Sequence, residues 1–405
     1  MNNEQKLIEC PYCEERIPAL LSECSFCGEE INIKRRNRFN SKILVFYIII
    51  FIIFVPVIFH LKSYYENNEY LISDIFKEKV LYPIEVDGKF GYIDKKGNLL
   101  IGFKFDSAEY FSEGLAAVSI DEKGGFINKS GSFVINPQFK EECSEDGCIN
   151  PIKDFKEGLA AVKIDNKWGF INKSGKTVIK PQFDDAWNFK EGLATVVFDD
   201  KWGYIDKSGK LVIITSANSS QMYPPISSFS ESLACIQENN KFGYVDKTGK
   251  KIVSPIYDEA DDFSKGLAAV KIDDKWGYID KIGKFKINPR FDSADAFSEG
   301  LAAVRINNKW GFINKQGVFV IKPKFDVPPE NFSGGLAIAS ILITSDRYGN
   351  GYIDKTGKFI VQPKYFEAEN FKNGIAKVEN DDEYGYINKL GQFVWSYPIR
   401  QFNNL

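Results

Sequence analysis

Residues 266–299 read GLAAVKIDDKWGYIDKIGKFKINPRFDSADAFSE, and this stretch decides the fold. Leu267 to Ile272 is apolar on both faces and reads as one strand. Asp273-Asp274 then makes a two-residue turn; Asp and Asn tolerate the positive φ angles that a type I′ hairpin requires. Lys275 to Asp280 is a second strand, and Lys281-Ile282-Gly283 is the next turn, with Gly283 in its left-handed position. Lys284 to Phe291 is the third strand. Pro289 near its end cannot donate to a ladder, so this strand is expected at a sheet edge. Asp292 to Glu299 returns the chain to the next unit.

Outward from this stretch the pattern repeats. Gly-(Tyr/Phe)-(Ile/Val)-(Asp/Asn)-Lys begins at Gly91, Gly125, Gly169, Gly203, Gly243, Gly277, Gly311, Gly351 and Gly385, and five of the eight intervals are 34 residues. The two-residue turn recurs as Asp87-Gly88, Asp165-Asn166, Asn239-Asn240 and Asn307-Asn308, and the strand proline is present in six of the nine units. A three-stranded sheet alone is marginal, so neighbouring units must stack their faces. Small Ala268 and Ala269 suit an inner position and the proline an outer edge. The expected fold is an all-β array of nine roughly 34-residue three-stranded meanders over residues 80–405. It should close as a propeller-like toroid, with an open β-superhelical stack as the alternative.

The segments Lys167-Trp168-Gly169, Lys201-Trp202-Gly203, Lys275-Trp276-Gly277 and Lys309-Trp310-Gly311 resemble the WG-repeat (KWG-repeat) proteins of bacteria. The tryptophan is replaced in five units, by Phe90, Gly124, Phe242, Asn350 and Tyr384. The resemblance implies an all-β repeat array and carries over no catalytic residue.

The N-terminal fifth is different. Cys10-Pro11-Tyr12-Cys13 and Cys24-Ser25-Phe26-Cys27 are two C-x-x-C knuckles, the spacing of a tetrahedral S₄ zinc site. Residues 1–33 are therefore read as a zinc ribbon, similar to those at the N-termini of many bacterial membrane proteins. Structural zinc, held by Cys10, Cys13, Cys24 and Cys27, would supply its folding free energy, on the order of 10 kcal/mol. Residues 34–42 are basic, and 43–61 (ILVFYIIIFIIFVPVIF and its extension) carry no charge over a length that spans a bilayer core as one transmembrane helix. Residues 62–79 form a spacer. Positive charge precedes the apolar run, which places the N-terminus in the cytoplasm and the repeats outside a cell membrane crossed once.

The chain of 405 residues has 52 basic and 55 acidic residues, a balance that excludes an extended nucleic-acid-binding surface for the repeats. Its single histidine, His60, lies in the apolar run, so no Ser-His-Asp site can form in the repeats. The recurring Asp and Asn before Lys exchange freely and read as turn caps; no unpaired carboxylates are expected to face one cleft, and no catalysis is expected. The slot tryptophans are read as packing residues. Features that break the repeat are candidates for binding. Trp187 lies off the tryptophan slot, and Arg347 and Tyr348 sit in a lengthened hairpin. Cys143 and Cys148 are expected to close a small disulfide loop if outside the membrane, or to be free thiols otherwise. Cys235 is read as a buried hydrophobe. Together these features predict a membrane-anchored binding protein that presents its repeats to a cell-envelope glycan or protein partner. The alternative is a transmembrane sensor that signals to a cytoplasmic partner through the zinc ribbon.

Overall fold

The computed structural model describes residues 80–140, 142–144, 147–218 and 226–399, together with the short strands Leu7–Glu9 and Arg16–Pro18. The chain divides into two compact units, residues 1–78 and 79–405. In the first, the two short strands pair antiparallel with Ile8 opposite Ile17. Cys10, Cys13, Cys24 and Cys27, the spacer and residues 43–61 lie outside the described residues. Among the described residues no helix is long and apolar enough to cross a membrane.

The second unit is all-β. Nine antiparallel sheets, blades 1 to 9, span residues 81–105, 107–140, 159–183, 185–218, 233–257, 259–291, 293–325, 337–365 and 367–398. Each contains the three-stranded meander, and five blades add a fourth, two-residue strand such as Ser293–Ala294 before it. In blade 6 the long strands are Ala268–Ile272, Lys275–Ile279 and Phe285–Phe291. Asp273 and Asp274 have φ of 49° and 60°, the type I′ geometry their residue types allow, and Gly283 has φ of 82°. The cap is also visible: the Asp280 carboxylate accepts the N–H groups of Ile282 and Lys284 at 3.1 and 2.9 Å.

The third strand is the edge, and its proline marks a bulge. Pairing passes from Trp276↔Phe291 to Tyr278↔Ile287, so the strand kinks where Pro289 faces Gly277. This explains the glycine of the Trp-Gly pair. A Cβ on Gly277 would lie 2.6 Å from the Ile287 carbonyl oxygen and 2.7 Å from the Pro289 nitrogen.

The core consists of nine clusters, each built from the facing sides of two neighbouring blades. Between blades 6 and 7, Leu267, Ala269, Trp276 and Tyr278 meet Ala302, Val304 and Ile313. The opposite face of the same blade 6 strands, Ala268, Val270 and Ile279, packs on blade 5. A strand apolar on both faces is therefore what a stacked blade needs. All four slot tryptophans are buried, at 5–9% exposure.

Nine blades in an open stack would have eight interfaces; the ninth closes a ring. Tyr82, Ile84 and Ile93 of blade 1 pack against Ile375 and Tyr386 of blade 9. The Tyr386 hydroxyl donates to the Pro83 carbonyl at 2.8 Å, and Tyr82 donates to the Lys372 carbonyl at 3.1 Å. The open-stack alternative is thereby excluded. Among the described residues no strand is exchanged between the ends: tyrosine hydroxyls and an apolar cluster make the seam.

Candidate functional site

Each connection between blades carries a short segment ending in phenylalanine: Glu109-Tyr110-Phe111, Lys153-Asp154-Phe155, Trp187-Asn188-Phe189, Ser227-Ser228-Phe229, Asp261-Asp262-Phe263, Asp295-Ala296-Phe297, Glu330-Asn331-Phe332 and Glu369-Asn370-Phe371. Three repeated contacts fix it. The backbone N–H of the first residue bonds the following long strand, as Asp261 does to Ala269 and Asp295 to Ala303, both at 2.9 Å. The carbonyl of the same residue accepts a buried tyrosine hydroxyl, Tyr244 to Asp261 at 2.6 Å and Tyr278 to Asp295 at 2.8 Å. The phenylalanine ring packs on that tyrosine, with Tyr278 and Phe297 centroids 4.8 Å apart. Burial pushes the Tyr278 phenol far above its usual range, with Asp295 and Asp261 adding to the shift, so it remains a proton donor.

The segments of four consecutive blades, beginning at Ser227, Asp261, Asp295 and Glu330, face one cavity. It has a volume of about 660 Å³ and is lined by Ser227, Asp261, Asp262, Asp295, Ala296, Glu330 and Asn331, with Cys235, Phe242 and Pro328 among the apolar contributors. Equivalent positions of four successive blades converge only toward the ring axis. No lysine or arginine lines the cavity, while four carboxylates do. Partial burial, then the charges of Asp295, Asp262 and Glu259, push the Asp261 carboxyl up to about 7. Partial burial and Glu330 push Asp295 up to about 6. Near neutral pH this cavity is thus short of positive charge, which a cationic group of a ligand would supply. Burial also pushes the Cys235 thiol up, and Cys235 sits in the sheet as the small hydrophobe expected of it.

Elsewhere on the inner segments the charges are offset. Lys372 lies over the Tyr110 ring at 4.1 Å and counters both Glu109 and Asp154. Lys153 stands between the rings of Trp168 and Trp187 at 4.8 and 4.9 Å and donates to the Ala186 carbonyl at 2.7 Å. The expectation that carboxylates would not gather in one cleft is therefore corrected. Asp261, Asp262, Asp295 and Glu330 lie in the segments that return the chain to the next unit, apart from the turn-capping Asp and Asn. The legible signal was the recurrence of Phe263, Phe297, Phe332 and Phe371 at intervals of 34, 35 and 39 residues, each preceded by two polar or small residues.

The expected contact residues are dispersed. Trp187 occupies an inner-segment position but stacks on Trp202 with centroids 5.0 Å apart, outside the acidic cavity's lining. Arg347 spans blades 8 and 9, pairing with Asp381 at 3.0 Å and lying over Phe366 at 5.0 Å. Tyr348 is exposed beside it. Cys143 and Cys148 fall opposite each other in the register of a short hairpin, Glu142–Ser144 with Gly147–Ile149; their side chains lie outside the described residues. Among the described residues no group of three or more His, Cys, Asp or Glu could hold a metal ion. The expected zinc ligands Cys10, Cys13, Cys24 and Cys27 lie outside the described residues. Leu7–Glu9 pairs with Arg16–Pro18 on either side of Cys10 and Cys13 in sequence.

A family model for WG-containing repeats matches residues 90–123, 125–168, 168–202, 202–213, 242–276, 276–310, 310–341 and 351–384. No curated protein matches the chain. Among solved structures, Kluyveromyces lactis Hsv2 is similar at 10% identity and a TM-score of 0.38, covering 62% of this chain and 98% of its own. BamB from Moraxella catarrhalis is similar at 10% identity and a TM-score of 0.37, covering 74% of this chain and 91% of its own. Likenesses this distant say nothing about ligand or partner.

Proposed function

The chain belongs to the family of WG-containing-repeat proteins, and from that premise we propose that it is a membrane-anchored binding protein whose ring engages a partner in the cell envelope. A β-repeat ring of this kind suits a protein-interaction role. The observation that carries the reading is the axial cavity, where Asp261, Asp262, Asp295 and Glu330 gather with no lysine or arginine among the lining residues. Such a site selects a positively charged group, which favours a basic protein segment over a neutral glycan. The uncharged run at 43–61, preceded by Arg35, Arg36 and Arg38, supports an anchor with the ring outside. The four N-terminal cysteines support a structural zinc on the cytoplasmic side.

The test uses the full chain in detergent, immobilised and challenged with solubilised envelope proteins. Capture should be lost in the Asp261→Asn/Asp295→Asn double variant and on raising salt to about 0.5 M. Equal capture by wild type and double variant would sink the cavity as the binding site. Protease added to intact cells should remove the ring; its protection would reverse the proposed topology.

A further inference from the structure

At five junctions between blades a glutamate closes a local cradle. Glu113, Glu157, Glu191, Glu231 and Glu299 hold positive φ angles of 49–55° just before the first long strand or its leading glycine. Each carboxylate accepts a backbone N–H from the next blade: from Gly158 at 2.9 Å, Gly192 at 2.9 Å, Ser232 at 2.8 Å, Gly266 at 3.0 Å and Gly335 at 3.1 Å. A lysine of that next blade completes it, at 3.1–3.2 Å: Lys173, Lys207, Lys247, Lys281 and Lys355. In three of these cradles the lysine also donates to the glutamate's own carbonyl, at 2.8–2.9 Å.

The junction of blades 6 and 7 has the same cradle without its carboxylate. Lys265 occupies the glutamate position with φ of 55°, so the backbone is unchanged. Lys315 holds the pose of its counterparts and donates to the Lys265 carbonyl at 2.6 Å. The amide equivalent to Gly158 and Gly266 belongs to Gly300, whose Cβ direction is as open as theirs. Among the described residues no carboxylate accepts from Gly300 or pairs with Lys315. Both lysines are exposed.

We propose that the blade 6–7 junction is a binding site for an external carboxylate, held by the Gly300 N–H and the Lys315 ammonium, with Lys265 supplying a second positive charge. The ligand class follows from the molecule itself, because five equivalent cradles are filled by a carboxylate. The site is separate from the axial cavity and opposite to it in charge, so either can stand if the other fails. At the blade 8–9 junction the same position is Gly334, which removes the carboxylate without adding a cation.

The full chain labelled with ¹⁵N-glycine, in detergent, is titrated with sodium acetate against sodium chloride at equal ionic strength, because exposed ion pairs respond to salt itself. The Gly300 amide should shift and saturate on the order of ten millimolar, as expected for an exposed site with two charge-assisted contacts. Gly158, Gly192, Gly266 and Gly335 carry an internal carboxylate and should stay fixed, and Gly374 should respond less than Gly300. Lys265→Glu restores the residue used at five junctions, so it should fold and abolish the acetate response. Lys315→Gln should weaken that response several-fold. An unresponsive Gly300, an equal response at the four filled cradles or at Gly374, or a response that survives in Lys265→Glu, would each overturn the proposal.

Discussion

Asp261→Asn should make the ring more stable, by an amount that is nil at acid pH and grows as pH rises from the unfolded-state value of the carboxyl through its native one. In the unfolded chain Asp261 titrates near the ordinary value of about 4. In the ring its carboxyl is pushed up to about 7, first by burial and then by the charges of Asp295, Asp262 and Glu259. Between these two values the native state holds a proton that the unfolded state has released, so stability falls as pH rises through this window. A fall of about three decades in acidity constant corresponds to about 4 kcal/mol, and the solvent that enters the cavity reduces this to roughly 2 kcal/mol. No side-chain hydrogen bond is lost on substitution, because the contacts that fix residue 261 run through its backbone. Thermal unfolding of the full chain in detergent should therefore show wild type and Asp261→Asn alike at pH 4. At pH 8 the variant should melt a few degrees higher. A stabilisation of the same size at pH 4, or a destabilised variant at pH 8, would refute the reasoning.

Gly277→Ala should cost about 3 kcal/mol, read as a lower melting temperature, because its Cβ strikes backbone atoms of the bulge and not a movable side chain. Acid should act in the opposite sense to the cavity. Desolvation opposes it, but the lysine partners Lys173, Lys247 and Lys355 and backbone amides hold Glu113, Glu191 and Glu299 below their ordinary values, so the stability they add is present above about pH 4.5 and fades as pH falls through the lowered values. Glu113→Gln should accordingly flatten the acid limb of the stability curve while changing stability at pH 7 by about 1 kcal/mol or less. Purified full chain should contain one zinc per molecule by elemental analysis, and Cys10→Ser/Cys24→Ser should contain none, with the ring's unfolding unchanged.

The fold was legible because its signals are local and recur. Asp273-Asp274 fixes a hairpin, Gly283 and Asp280 fix the next turn, and Pro289 fixes an edge; each is a backbone constraint that a few residues express alone. The Lys275 that precedes the tryptophan has a recurring role too, pairing with Asp292 at 2.6 Å. What stayed hidden depends on residues far apart in sequence. Closure rests on Tyr82 and Tyr386, 304 positions apart by their numbers, and no periodic pattern announces that pair. The cavity was hidden for a related reason: Asp261, Asp295 and Glu330 become neighbours only once the ring exists. Even the replacement of a slot tryptophan by Gly124 makes sense only in space, where Ile152 lies within 3 Å of a Cβ built there and fills the room the larger ring would take.

The closed ring also explains why binding residues can vary without endangering the fold. Where the second strand carries tyrosine its hydroxyl holds the inner segment by its backbone carbonyl, and in each connection between blades the third residue, phenylalanine, packs in or against the core. The first position can therefore vary in side chain: Asp at 261, Lys at 153 and Trp at 187 make the same backbone N–H bond to the next strand, 2.9 Å long at each. The resulting ring is uneven. Around blades 2, 3 and 9, lysines lie against aromatic rings and counter the nearby acids. Around blades 5 to 8 the acids stand together. A ligand with a cationic end would therefore be drawn to the negative sector rather than to the balanced remainder of the ring.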